Sequence, residues 1–311
     1  MRNVVVIGSL NIDIVQKVPR LPRQGETLGV TDQSSNFGGK GANQAIAAQR
    51  QGSQVAMIGA IGDDDRGLAF RQLMTDEKMD DRYITTKAPH TGSATIMLEP
   101  DGHNTILVHG GANMSLTRED VRRAESVIAE ADVVVAQLEV PREAIEEGFK
   151  IAKQHGVTTI LNPAPVTHYI EQAIIDNTDL VVPNETEAAA LAGIPATTDR
   201  KELEQVIDIL HDKGFKDIVV TLGADGVYYD VKQQQGIVPI IPAKVVDTTA
   251  AGDTFIGSLA ANWSSDLSIE ALLTRATAAS SIVVARPGAI AAIPMKQEVD
   301  ALLVERGLAD E

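Results

Sequence analysis

The chain has 311 residues, 44% of them hydrophobic and only 3% aromatic, which is the length of one large or two modest domains with a core of Val, Ile, Leu and Ala. Its 43 acidic against 27 basic residues leave a formal charge of −16, which repels nucleic-acid backbones and anionic lipid, and no local basic patch offsets it. The absence of cysteine excludes disulfides, thiolate metal sites and cysteine nucleophiles together, so a cytoplasmic protein acting on a small molecule or on a second copy of itself is expected.

The first apolar run, 4–7, is too short for a signal sequence or a membrane span and reads as a strand. Similar β-branched runs follow at 55–58, 133–136, 158–161, 180–182 and 218–222, apolar almost throughout, as strands buried on both faces are. Amphipathic stretches at 42–51, 66–78, 118–130, 142–155, 185–192 and 201–213 alternate with them, and Gly52, Gly156 and Gly214 stand where helices stop. The pattern predicts an α/β fold, doubly wound, with a mostly parallel sheet flanked by helices in a single domain over 1–311. Two segments interrupt it. Residues 13–37 are polar and carry Pro19, Pro22 and Gly25, whereas 94–109 alternates apolar and polar residues around the turn Pro100-Asp101-Gly102. Together they predict a small antiparallel β lid inserted into the domain. Towards the end, Val245-Val246 reads as a short strand, and 269–284 and 295–304 read as helices.

No P-loop, dinucleotide fingerprint or nucleophile elbow occurs, and the six histidines form no pair at helical metal-binding spacing. Five other patterns carry chemistry. In Asp247-Thr-Thr-Ala250-Ala251-Gly252-Asp253-Thr-Phe255, small residues let consecutive backbone N–H groups point outward at a helix start, which makes an anion site unless Gly252 is a plain turn. Asp253 is placed either to take a proton from an attacking hydroxyl or to cap the helix. Phe37-Gly-Gly39-Lys40-Gly41-Ala42-Asn43-Gln44 opens the first long helix with glycines that permit close backbone approach, and Lys40 and Asn43 supply donors. Gly8-Ser-Leu-Asn11-Ile-Asp13 lies at the carboxyl end of the first strand, where Asn11 and Asp13 can bind a polyol, unless Asp13 merely forms an Asx turn. Asn184-Glu-Thr-Glu187 fits a hydrated Mg²⁺ or a capped helix start. Thr221-Leu222-Gly223-Ala224-Asp225-Gly226 can wrap phosphates or turn the chain, and the aspartates at 63–65 read as a polar loop.

The segments 38–43 and 247–255, with Asn184 and Glu187 between them, resemble the two signatures of the ribokinase/fructokinase-type carbohydrate kinases. Gly8-Ser-x-Asn11-x-Asp13, Gln137-Leu-Glu139-x-Pro141, Asn162-Pro-Ala-Pro165 and Thr221-Leu-Gly223 extend the resemblance to the whole chain and favour its ribokinase branch, as does Ala250 where much of the family has glycine. The resemblance implies transfer of the γ-phosphoryl group of ATP to O5 of D-ribose. By it, Asn11, Asp13, Gly39, Lys40, Gly41, Ala42, Asn43 and Glu139 would hold the sugar, Asp253 would be the general base, and Ala250 to Asp253 would form the anion hole. Asn184, Thr221, Leu222, Gly223, Ala224, Asp225, Gly226, Gly252, Asp253 and Thr277 would lie along ATP, with Glu187 ordering Mg²⁺ through water. It further implies K⁺ beside the anion hole, at Asp247, Thr249, Val283, Arg286, Gly288 and Ala292, and a homodimer paired through the lid. Another small sugar as acceptor (2-deoxyribose, fructose or a ketodeoxy acid), or a sugar-binding protein without catalysis, are the alternatives.

Overall fold

The computed structural model describes residues 1–264 and 266–308. The first third runs β1 (Asn3–Ile7), β2 (Asn11–Lys17), β3 (Asp32–Gly38), α1 (Lys40–Arg50), β4 (Gln54–Gly62), α2 (Asp65–Asp76), β5 (Ile84–Ala88), β6 (Gly92–Leu98) and β7 (Asn104–His109). The middle runs α3 (Arg118–Arg122), α4 (Glu125–Ala129), β8 (Val133–Gln137), α5 (Arg142–Gln154), β9 (Thr158–Asn162), α6 (Gln172–Ile175), β10 (Leu180–Val181), α7 (Glu185–Ala192) and α8 (Arg200–Asp212). The remainder is β11 (Asp217–Thr221), β12 (Val227–Val231), β13 (Gln234–Val238), α9 (Ala251–Asn262), α10 (Ile269–Val283) and α11 (Lys296–Glu305).

Nine strands form one sheet in the order β13-β12-β11-β10-β9-β8-β1-β4-β5, all running the same way except β12, which is antiparallel to both of its neighbours. The chain winds outward to β4 and β5 on one side of β1 and to β8 and beyond on the other. The switch point therefore lies between β1 and β8, the place where open α/β sheets bind ligands. Val4, Val6 and Met57 face Phe70 of α2, Phe255 of α9 and Leu272 of α10, whereas Val5, Ile7 and Ile58 face Val121 of α3, Phe149 of α5 and Leu203 of α8. Burial on both faces explains the near-continuous apolar strands, since a strand with one wet face would alternate. No described helix is long and apolar enough to cross a membrane.

Several sequence expectations are corrected. The small sheet forms, in the order β3-β2-β6-β7, but it is mixed rather than antiparallel, because β2 and β6 pair in parallel. Both strands leave the carboxyl end of the main sheet, β2 just after β1 and β6 just after β5, so they set out in the same direction. Val245-Val246 is an exposed loop whose one tie to the core is the Val246 N–H donating to the Val284 carbonyl at 2.8 Å. The helix expected over 118–130 breaks at Ala124, where the N–H groups of Ala124 and Val127 bond three residues back. The aspartates at 63–65 do more than line a loop: Asp64 caps α2 and accepts from the N–H and Oγ1 of Thr91.

Candidate active site

The turn from β3 into α1 is built by glycine. A Cβ on Gly41 would run into the backbone of Gly8 and Ser9, and Gly39 takes φ +90° beside Asn11, so α1 starts directly against the carboxyl end of β1. That contact sets Lys40 and Asn43 beside Asn11 and Asp13 of β2. Glu139, just past β8, closes the ring: its Oε2 accepts from Ser9 Oγ at 2.5 Å and from the Lys40 N–H at 3.2 Å. From the other side, the first turn of α9 brings in Asp253, whose Oδ2 accepts from Asn43 Nδ2 and Oδ1 from Gln44 Nε2, both at 2.9 Å. Asp253 therefore does not cap its own helix, and Ala250 holds the cap position in the left-handed conformation at φ 60°.

Four buried or half-buried carboxylates (Asp13, Glu139, Glu187 and Asp253) thus surround one ammonium. Asp253 foremost, then Glu139, Glu187 and Asp13, raise Lys40 above the ordinary lysine value against the opposing effect of burial. Burial first, then the charges of Glu139 and Asp253, push Asp13 up to about 7, with Lys40 opposing. Burial likewise raises Glu187. Asn43 Oδ1 is buried with no partner among the described residues, an acceptor left for a hydroxyl.

Beyond α9 lies a cleft of about 420 Å³, lined by Thr221, Gly223, Ala224, Gly226, Gly252 and Thr277, with Ile240, Ile241, Val245 and Phe255 as apolar walls. Thr277 Oγ1 is a second buried, unpartnered polar atom, and it lies on this wall. Four residues expected on ATP are not in the lining: Asn184 and Asp253 lie outside it, Leu222 is buried in the core and Asp225 is exposed. Asn184 bridges to Thr221 at the near end. The α9 terminus supplies donors, although Ala251 spends its N–H on the Thr248 carbonyl at 3.2 Å. Gly252 and Asp253, in the first turn, have no carbonyl four residues back within the helix. Gly252 is informative in another way: a Cβ there would meet nothing within 4 Å, and its φ is not left-handed. The fold itself therefore does not need glycine at 252. A second depression, of about 320 Å³, lies at the amino ends of β1 and β4 beside Asp80 and Arg82, far from this chemistry.

Asn184 and Glu187 form a full capping box, with Asn184 N–H on Glu187 Oε2 at 2.9 Å and Glu187 N–H on Asn184 Oδ1 at 2.7 Å. Among the described residues no three or more His, Asp or Glu side chains gather as a metal cage. One carboxylate in a strongly negative site suits Mg²⁺, which keeps waters and binds through substrate phosphates. Asp247 braces two loops: Oδ1 accepts from Thr249 N–H and Oγ1 at 2.9 and 2.6 Å, and Oδ2 from Gly288 N–H at 2.9 Å. The Val283 carbonyl accepts from Arg286 N–H at 3.1 Å, the Arg286 side chain pairs with Glu298, and Ala292 is buried in a short 3₁₀ turn. Ser9, Gln44 and Asn113 were given no role from sequence. Asn113 donates to Asn11 Oδ1 at 2.7 Å and fixes that amide from a turn 102 positions away, a separation no local pattern reveals.

A family model for pfkB family carbohydrate kinases matches residues 1–296. The chain belongs to that family. It is 43% identical over 302 residues to a bifunctional ribokinase/ribose-5-phosphate isomerase A of Fructilactobacillus sanfranciscensis, covering 96% of this chain but only 56% of that longer protein. It is 42% identical to a ribokinase of Staphylococcus aureus, over 96% of this chain and 98% of the relative. A deoxyribokinase of Salmonella typhi is 32% identical over 97% of this chain and 98% of its own length. Among solved structures, Arabidopsis thaliana ribokinase complexed with ribose and ATP superposes with a TM-score of 0.89 at 33% identity, over 97% of this chain and 98% of that one. This pfkB carbohydrate kinase thus has the α/β fold of the ribokinases, and its family's chemistry implies ATP with Mg²⁺.

Proposed function

We propose that this kinase transfers the γ-phosphoryl group of ATP to O5 of D-ribose in the cytoplasm. The observation that carries this reading is Asp253: a buried carboxylate, gripped by two amides, at the mouth of an unsatisfied helix start between a polyol-binding ring and an apolar cleft. Asn11, Asp13, Lys40, Asn43 and Glu139, with the backbone at Gly39, Gly41 and Ala42, hold the sugar and present its primary hydroxyl. Asp253 takes that proton as the oxygen attacks, and the N–H groups of Ala250, Gly252 and Asp253 face the charge that develops on the phosphoryl oxygens. When bound, Mg²⁺ neutralises phosphate charge, and Glu187 holds its water shell. The segments around Asp247 and Gly288 would hold K⁺, which would order the loop that leads into α9. Residues 1–311 act as one domain in this reading, with 13–37 and 94–109 as the lid that excludes water.

Two copies pair through that lid. The edge strand β7 carries Ile106, Leu107 and Val108 in sequence, all more than half exposed, and an unpaired apolar edge is a template for another strand. The test of substrate is ATP consumption against ribose, 2-deoxyribose, fructose and a ketodeoxy sugar acid. Ribose is expected to give the highest kcat/KM, by roughly 10-fold or more. A preference for 2-deoxyribose would replace this reading by the one that the Salmonella relative's name supports.

A further inference from the structure

We propose that Gln44 is a positioning residue for the base, and that a chain of three buried amides dictates which end of Gln44 faces Asp253. The proposal rests on Asp253 being the base. It gives a role to Gln137 and Asn162, which belong to sequence motifs that the reading above leaves without one.

The chain starts at a group with no choice. The carbonyl of Val182, just past β10, only accepts, and Asn162 Nδ2 donates to it at 3.0 Å. Asn162 must therefore turn Oδ1 the other way, where it accepts from Gln44 Nε2 at 3.1 Å. The second hydrogen of that nitrogen goes to Asp253 Oδ1 at 2.9 Å. Gln44 Oε1 is left pointing away from the base, and it accepts from Gln137 Nε2 at 2.7 Å. Turning any one amide over would set like atoms against each other. Gln44 and Gln137 are fully buried and Asn162 is nearly so, so no water is at hand to repair such a mismatch. The one acceptor left over, Gln137 Oε1, sits at the end farthest from the base, beside Gly8, where a Cβ would overlap it.

The consequence is a carboxylate held in one orientation by adjacent residues of α1, Asn43 on one oxygen and Gln44 on the other. Gln44 has no exposed surface with which to touch sugar or nucleotide, so its effect belongs in kcat and not in KM.

The experiment compares Gln137→Glu with Gln137→Met, alongside Asp253→Asn, measuring kcat, both KM values and thermal stability. Ionised glutamate sets an oxygen against Gln44 Oε1 and drives that amide to turn its oxygen towards Asp253, whereas the protonated acid would donate as Gln137 does, so kcat is read across about pH 6 to 9 and compared at the upper end, where the carboxyl is ionised. Methionine removes a donor but leaves the orientation to Asn162. The expected result is a fall in kcat of roughly 30-fold or more for Gln137→Glu and less than about 3-fold for Gln137→Met, with KM for ATP and for ribose within about 3-fold in both. Equal kcat in the two folded variants, or KM values rising as far as kcat falls, would overturn the proposal. If Gln137→Glu does not fold, Gln44→Leu replaces it: a loss of about 10-fold or more in kcat at unchanged KM supports the chain, and normal kcat refutes it. Normal turnover in Asp253→Asn would remove the base itself, whereas loss there beside an unaffected Gln137→Glu or Gln44→Leu would remove only the amide chain.

Discussion

The two halves of the site are built from different materials. On the side proposed for the sugar, side chains dominate: Asn11, Asp13, Lys40, Asn43, Glu139 and Asp253, buried or half-buried, interact with one another or with their neighbours in a dense ring. On the side proposed for the nucleotide, backbone and shape dominate, with Gly223 and Gly252 leaving room and Ile240, Ile241 and Phe255 forming walls. The difference follows from the ligands assigned to each half. A polyol is recognised by matching each hydroxyl with a donor or acceptor, whereas a triphosphate is bound by exposed N–H groups and a purine by an apolar slot. Substitutions on the first side should therefore change chemistry or sugar affinity selectively, and those on the second should act through steric access.

The largest effect is expected at the boundary. Asp253→Asn should lower kcat by on the order of 10² or more with both KM values nearly unchanged, because a neutral amide cannot take the hydroxyl proton. Steady-state kinetics with near-normal turnover would take the base out of the comparison altogether. Next, Asp13→Ala should raise KM for ribose by roughly 10- to 100-fold and leave that for ATP within about 3-fold, since it strands sugar hydroxyls without acceptors. Equal shifts in both would mean that the two halves are not separable.

Asp13 also carries a stability signature. With its carboxyl pushed up to about 7 from an unfolded value of 3.8, the native state binds a proton that the unfolded chain lacks between those two values. Its contribution is thus present below about pH 4 and lost as pH rises through 7. Asp13→Asn should therefore raise Tm at pH 8 by several degrees over the parent and not at pH 4, a difference that thermal melts at the two pH values read directly. A stabilised but crippled Asn variant is the mark of a group held for function.

A smaller loss tests the nucleotide side. Gly252→Ala should reduce kcat/KM for ATP by about 10-fold while leaving Tm unchanged or slightly raised, because alanine favours the helix and meets no neighbour in the protein. Unchanged kinetics would show the space above residue 252 to be empty during the reaction. The smallest effect is the cation's: replacing Na⁺ by K⁺ at constant ionic strength should raise kcat/KM by roughly 3- to 10-fold, and Asp247→Ala should abolish most of that gain. Identical rates in the two salts would reduce Asp247 to the loop brace its hydrogen bonds already describe.

How much of this was legible beforehand depends on how local the cause is. Strands buried on both faces announce themselves as runs such as Val4–Ile7, and glycine at Gly39 and Gly41 announces a tight turn into a helix, because the constraint and the residue that meets it are neighbours in sequence. The candidate residues Asn11, Asp13, Asn43 and Asp253 stand out in sequence for the same reason: each lies within a short motif at the end of a strand or the start of a helix. The hairpin β12–β13 was not legible, because its two-residue turn is Lys232-Gln233, both at positive φ, where sequence reasoning looks for Asn-Gly. Nor was the pairing of β2 with β6, which depends on where two distant strands leave the sheet.

The amide chain marks the limit most sharply. Composition and periodicity place Gln44 in the first turns of a helix opened by glycines, and no more than that. In the proposed chain its direction follows from Asn162, 118 positions along the sequence, and its target is Asp253, 209 positions along. A buried hydrogen bond is directional and needs both atoms in place, so its polarity exists only once the tertiary fold has brought β8, β9, α1 and α9 to one point.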